Sequence, residues 1–162
     1  MLQVKRISHK DLDTRIRDLI LLHCASASVE LPDSLLARHY SWTRLAQWLS
    51  TEAPEHFMYV MYEDTEPVGL MCFSAVQPIH MDCLCAVEDL LFIRQDKRSL
   101  KSLLYLVKQT LQLLRTEFTS QFLVFVGNTL GPSTLPEMYK RIGFSEVGTH
   151  LVIELDALKE TT

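Results

Sequence analysis

The chain has no apolar run long enough to cross a bilayer, no surplus of positive charge, no internal repeat and no low-complexity segment. A membrane-spanning helix needs about 20 consecutive apolar residues, so none is expected. With a formal net charge of −4, the surface has no general attraction for nucleic acid or anionic lipid. No linker interrupts the 162 residues, which are read as a single domain, 1–162, with room for a sizeable core. The opening Met-Leu-Gln-Val-Lys-Arg lacks an apolar signal stretch, and cytoplasmic residence is the expectation. The cysteines are few: Cys24, Cys72, Cys83 and Cys85, expected as free thiols. His80, Cys83 and Cys85 come nearest to a metal set. The Cys-x-Cys pair is tighter than zinc-knuckle spacing and no second ligand pair follows, so no metal is expected.

What is present centres on residues 86–107. Val87, Leu90, Leu91, Phe92 and Ile93 form a short apolar run that reads as a strand. Leu100, Leu103, Leu104, Val107, Leu111 and Leu114 then recur at helical spacing. Between them lie Arg94, Lys97, Arg98 and Lys101. Cations at a helix start oppose the helix dipole, unless an anion such as a phosphate docks there. A solvated basic turn is the plainer alternative.

The rest of the chain follows in order. Leu2–Ile7 alternates and reads as an edge strand. Residues 11–24 show Leu12, Ile16, Leu19, Ile20 and His23 on one helical face, capped by Asp11 or Asp13. A loop is expected over Ala25–Pro32 and a second helix over Ser34–Ser50, whose Tyr40, Trp42 and Trp48 pack on a sheet or line a cleft. Phe57–Tyr62 and Val68–Val76, joined by a polar turn, predict a hairpin. Met81–Ile93 is the next strand, and the helix after it runs to about Glu117. Phe122–Val126 is wholly apolar, as in a strand buried on both faces. A short helix capped by Ser133 carries Pro136 in its first turns and stops at Gly143. Val147–Leu155 is the last strand. This order predicts an α/β (α+β) domain, a mixed sheet with helices on both faces, in which the strands around residues 89 and 126 run parallel.

Element order and three local stretches resemble the GCN5-related N-acetyltransferase (GNAT) superfamily. The hairpin Phe57–Val76, with its Pro-Val-Gly-Leu, is similar to that family's second and third strands. Val87–Ile93 with the basic loop is similar to its fourth strand and pyrophosphate loop. Met138-Tyr139-Lys140-Arg141-Ile142-Gly143-Phe144 is similar to its Leu-Tyr-x-x-x-Gly-Phe signature, and is the most specific match. The resemblance implies a single GNAT-like domain with a mixed, mostly antiparallel central sheet. It implies transfer of an acetyl group from acetyl-CoA to an amine of a small molecule, peptide or protein. Leu91, Phe92, Ile93, Arg94, Lys97, Arg98, Ser99, Lys101 and Asn128 become the expected contacts to acetyl-CoA. Glu88 is favoured as the general base, with Asp89 second because alternation sends the two to opposite faces. Tyr139 matches the tyrosine that protonates the leaving thiolate.

The sequence also departs from the family. Its loop reads Arg/Gln-x-x-Gly-x-Gly/Ala, and no register here recovers a glycine. A Cβ in that cradle keeps the backbone away from phosphates. Asn128 to Tyr139 spans a few residues more than usual, and the segment after Phe144 is short. A second function class therefore stays open beside the enzyme: a non-catalytic GNAT-like module that binds a protein partner. The acceptor amine is not readable, and neither a homodimer nor a protein partner is decided by the sequence. Nucleic acid and membrane are not expected partners.

Overall fold

A computed structural model describes residues 1–30, 41–51, 55–79, 82–118, 123–127 and 135–146. Its strands are β1 (Leu2–Ile7), β2 (His56–Glu63), β3 (Glu66–Val76), β4 (Cys85–Ile93) and β5 (Leu123–Phe125). Its helices are α1 (Thr14–Glu30), α2 (Trp42–Ser50), α3 (Leu100–Glu117) and α4 (Leu135–Arg141). The strands form one five-stranded sheet in the order β1-β2-β3-β4-β5. Three pairings are antiparallel and β4 with β5 is parallel, as the strand–helix–strand crossover predicts.

Helices cover both faces. On one face Ile16, Leu19 and Ile20 of α1 pack with Met58, Val60, Leu70, Cys72, Leu90 and Phe92, flanked by Leu45 and Trp48 of α2. On the other, Leu106, Val107 and Leu114 of α3 and Met138 and Tyr139 of α4 pack with Tyr59, Met71, Phe73, Ala86 and Ile93. Burying apolar area on both sides is the dominant stabilising term for such a layered fold. His23 lies half-buried with its ring 5.0 Å from that of Phe92, in keeping with a packed histidine.

Local chemistry sets the boundaries. Asp13 caps α1, its Oδ1 accepting from the Ile16 N–H at 2.9 Å. The helix then runs past residue 24 to Glu30, because the Ala-Ser-Ala-Ser stretch, expected as loop, contains no Gly or Pro to stop it. Strand β4 begins at Cys85 rather than Met81. Leu123 of β5 is 47% exposed, so that strand is not covered on both faces as its composition suggested. Gly143 closes α4 with φ +105°, a conformation that glycine adopts without strain. Tyr40, His80, Asn128, Ser133 and the expected strand 147–155 lie outside the described residues.

Gly69 is held tightly. A Cβ there would lie 3.1 Å from the Phe92 carbonyl oxygen and from Met61 Cε, and 3.2 Å from Ile93 Cγ1. Gly69→Ala should therefore lower stability by about 1–3 kcal/mol. A urea unfolding curve checks this, and an unchanged midpoint would contradict the packing described.

Candidate active site

The site is built by an irregularity in β4. Cys72 of β3 pairs with Leu90 and Phe73 with Glu88, so Asp89 is an extra residue with no opposite number. The bulge changes the alternation across it. After the bulge Leu90 and Phe92 face α1, while Leu91 and Ile93 face α3 and α4. Before it, Ala86 and Glu88 face α3 and α4. Without the extra residue Glu88 would share the α1 face with Leu90 and Phe92.

The bulge coincides with the end of β5. The parallel pairing joins Cys85 to Leu123, Ala86 to Val124 and Val87 to Phe125. From Glu88 to Ile93 the β5 side of β4 has no strand partner among the described residues. Alternate backbone N–H and C=O groups of that stretch point outward along the open edge.

Tyr139 reaches this point from α4. It is buried, at 3% exposure, and its hydroxyl donates to Glu88 Oε2. Burial raises the Glu88 carboxyl to about 7; the bond from Tyr139 opposes the shift and the neighbouring Asp89 charge adds to it. Burial, then the charge of Glu88, drive the Tyr139 hydroxyl well above the usual tyrosine range. Tyr139 also packs on Phe144, ring centroids 5.3 Å apart, which ties α4 to the Gly143 turn.

Asp89 projects to the opposite face, where its Oδ2 accepts from the Ser74 hydroxyl at 2.7 Å. It keeps an exposed side, yet surrounding protein still lifts its carboxyl; the Ser74 bond and the His56 ring act against the shift. Neither Ser74 nor His56 stands out in the sequence. Both lie in β-favouring runs, and only strand register brings them to Asp89.

The basic loop is closed upon itself. Arg94 forks onto Asp96 at 3.0 and 2.8 Å. Lys97 Nζ lies 2.5 Å from Glu63 Oε2. Arg98 Nε donates to the Ile93 carbonyl at 3.3 Å, its guanidinium 5.9 Å from the Phe92 ring. Ser99 caps α3 by accepting from the Ser102 N–H at 3.1 Å, while its own N–H donates to Ser102 Oγ at 2.9 Å. The conflict between cations and helix dipole is thus eased by acidic neighbours and a serine cap, with no bound anion required. Lys101 is exposed in the first turn of α3. The side chains of Phe92 and Ile93 are core and Leu91 is half-buried, so these residues offer a ligand mainly their backbone. Asn128 lies outside the described residues. A groove of about 610 Å³ beside the loop, away from Glu88, carries Asp18, Glu66 and Asp96 against Arg15 and Arg94. That balance of charge does not suit a pyrophosphate.

No family model and no curated protein matches the sequence. Solved structures do. A GCN5-related N-acetyltransferase from Ralstonia eutropha JMP134 aligns at TM-score 0.68 and 13% identity, over 97% of this chain and 100% of that one. An aminoglycoside acetyltransferase from an uncultured soil metagenomic sample, in complex with trehalose, aligns at TM-score 0.65 and 16% identity, over 95% and 96% of the two chains. A predicted acetyltransferase with acetyl-CoA from Clostridium acetobutylicum aligns at TM-score 0.61 and 12% identity, over 96% and 97%. The chain has the GCN5-related N-acetyltransferase fold over nearly its whole length. Among the described residues no helix is long and apolar enough to cross a membrane.

The raised Glu88 carboxyl links stability to pH. Its folded value, about 7, lies above the ordinary 4.5, so the folded state keeps a proton that the unfolded chain has lost. Its contribution is complete below about pH 4.5 and is lost as pH rises through about 7. Between these values wild type should lose on the order of 1–3 kcal/mol relative to Glu88→Gln. Denaturation curves of both proteins across that range check it; parallel pH dependence would show that Glu88 titrates normally.

Proposed function

We propose that this protein is an acetyl-CoA-dependent N-acetyltransferase acting on an amine of a small molecule, peptide or protein. The observation that carries the reading is the Glu88–Tyr139 hydrogen bond at the point where β4 and β5 part, on a fold shared with acetyltransferases. Acetyl-CoA, when bound, would supply the activated acetyl group and accept a proton on its departing sulfur. The thioester end fits the described residues: the open edge of β4 offers backbone groups beside the buried pair. The phosphate end fits less well, since the loop has no glycine and its charges are engaged with neighbours.

Each residue then has a definite task. Glu88, near half-ionised at neutral pH, takes the proton that the attacking amine must lose. Tyr139 donates to Glu88 and stands next on the proton's path. Because its hydroxyl resists ionisation, it releases a proton toward the sulfur only as it regains one from Glu88. An outward N–H near Leu91 or Phe92 would face the developing oxyanion, a donor typically worth about 3 kcal/mol. Arg98 and Lys101 would meet the phosphates as flexible charges, joined by Arg94 and Lys97 once these leave Asp96 and Glu63.

The closed, glycine-free loop favours a second reading, a GNAT-like module that binds a protein partner without catalysis. Calorimetric titration with acetyl-CoA separates the two. The enzyme reading expects binding that weakens when Arg98 and Lys101 are both changed to alanine, more so at low salt. It also expects Glu88→Gln to lower turnover roughly 10²–10⁴-fold, and Tyr139→Phe at least tenfold, with affinity for acetyl-CoA retained. Absence of heat and of a thermal shift at millimolar acetyl-CoA would leave the non-catalytic reading standing.

A further inference from the structure

Each carboxyl of β4 has its own donor, and the donors stand on opposite faces of the sheet: Tyr139 for Glu88 and Ser74 for Asp89. Ser74 belongs to β3 and pairs with Val87, in the register that precedes the bulge. Its hydroxyl reaches past that pair to Asp89 Oδ2 at 2.7 Å. The bond therefore spans the irregularity, with its donor in the register before the extra residue and the extra residue as its acceptor. An inserted residue has no partner in the ladder, so this side-chain bond ties it to β3. A hydroxyl donating to a carboxylate is among the stronger hydrogen bonds. Beyond Ser74, β2 contributes His56, whose ring stacks on Trp48 of α2, centroids 4.4 Å apart at 29°. Asp89 is turned toward these strands and away from the β5 side, so it acts on no ligand along the open edge.

The regular strand shows what the bond opposes. If residues 85–88 slipped by one along β3, the bulge would vanish, with Glu88 opposite Ser74 and Asp89 opposite Phe73. Every side chain of 85–88 would change face. Glu88 would leave Tyr139 for the α1 face, and Val87 would enter the packed layer that now holds the fully buried Ala86. Asp89 would turn toward α4, out of reach of Ser74. The Ser74–Asp89 bond forms in the bulged register and is lost in the regular one.

We propose that Ser74 and Asp89 are positioning residues: their hydrogen bond holds the extra residue of β4 on the α1 face and so keeps Glu88 on the opposite face, against Tyr139. The effect on turnover rests on the acetyltransferase reading, but the placement of Glu88 is measurable without any acetyl donor.

The test compares Ser74→Ala with Ser74→Thr, each alone and combined with Glu88→Gln. Ser74 and Asp89 both reach solvent in part, so water replaces the lost partner and Ser74→Ala keeps the fold. Glu88 reports its own place. Enclosed beside Tyr139 and next to the Asp89 charge, it costs the protein stability as pH rises from 4.5 to about 7. Measured against Ser74→Ala/Glu88→Gln, Ser74→Ala should cut that loss by roughly half or more, and Ser74→Thr should restore it. Release of free CoA thiol from acetyl-CoA, with n-hexylamine as acceptor, gives the second readout. Ser74→Ala should lower kcat about ten- to hundredfold with KM for acetyl-CoA unchanged, as misplacing a reacting group does. Asp89→Asn keeps an oxygen that can accept from Ser74, and should lose less turnover than Glu88→Gln. An unchanged pH-linked loss or an unchanged kcat in Ser74→Ala would overturn the proposal, as would an effect that Ser74→Thr fails to restore. Turnover of Asp89→Asn as low as that of Glu88→Gln would overturn it too, by making Asp89 the base. The expected pH pattern with no thiol released by any of the proteins, wild type included, would uphold the placement of Glu88 while contradicting the acetyltransferase reading.

Discussion

The site depends on one residue too many in β4. A regular strand would turn Glu88 toward α1, away from Tyr139. The bulge at Asp89 turns it toward α4, where the tyrosine hydroxyl meets it. The same irregularity falls where β5 ceases to pair, so the buried acid–phenol pair sits beside an open strand edge. An enclosed carboxyl on a packed scaffold is a costly arrangement unless something offsets it. Here the offset is the proton that burial makes Glu88 retain to about pH 7, together with the bond from Tyr139. A group held near neutrality and fixed by a second donor is what proton transfer at physiological pH calls for.

Much of the fold is legible in the sequence. The apolar periodicity of 100–114 and the short run 87–93 predict a helix and a strand, because the two repeats differ. The parallel relation of β4 and β5 follows from the length of the crossover. Met138–Phe144 singles out Tyr139, and alternation predicts that Glu88 and Asp89 lie on opposite faces. The bulge itself was not legible. Glu-Asp-Leu-Leu carries no glycine or other local mark of an inserted residue, and the register shift is decided by pairing with Cys72 and Phe73 on another strand. For the same reason nothing in the sequence marks Ser74 and His56 as neighbours of Asp89. The end of α1 at Glu30 is not legible because alternating Ala and Ser tolerate both helix and loop.

The basic loop shows how charge can mislead when read along the chain alone. Arg94, Lys97, Arg98 and Lys101 look like an anion site because their sequence neighbours include only one acid. In space, Glu63 arrives from the end of β2 and Arg94 forks onto Asp96. Exposed pairs of this kind contribute little to stability. They are therefore weak locks, which a multivalent anion could displace at modest cost. A glycine nest would bind phosphate through fixed backbone dipoles; this loop would have to do so with side chains, and its affinity should be correspondingly sensitive to salt.

The central claim is that the Glu88–Tyr139 pair moves the proton. The pH profile of kcat/KM for acetyl transfer tests it most directly. The account predicts activity rising with pH through an ionisation at about 7, as Glu88 loses its proton, and the disappearance of that limb from the residual activity of Glu88→Gln. A limb that persists unchanged in Glu88→Gln would assign the ionisation to another group and contradict the account.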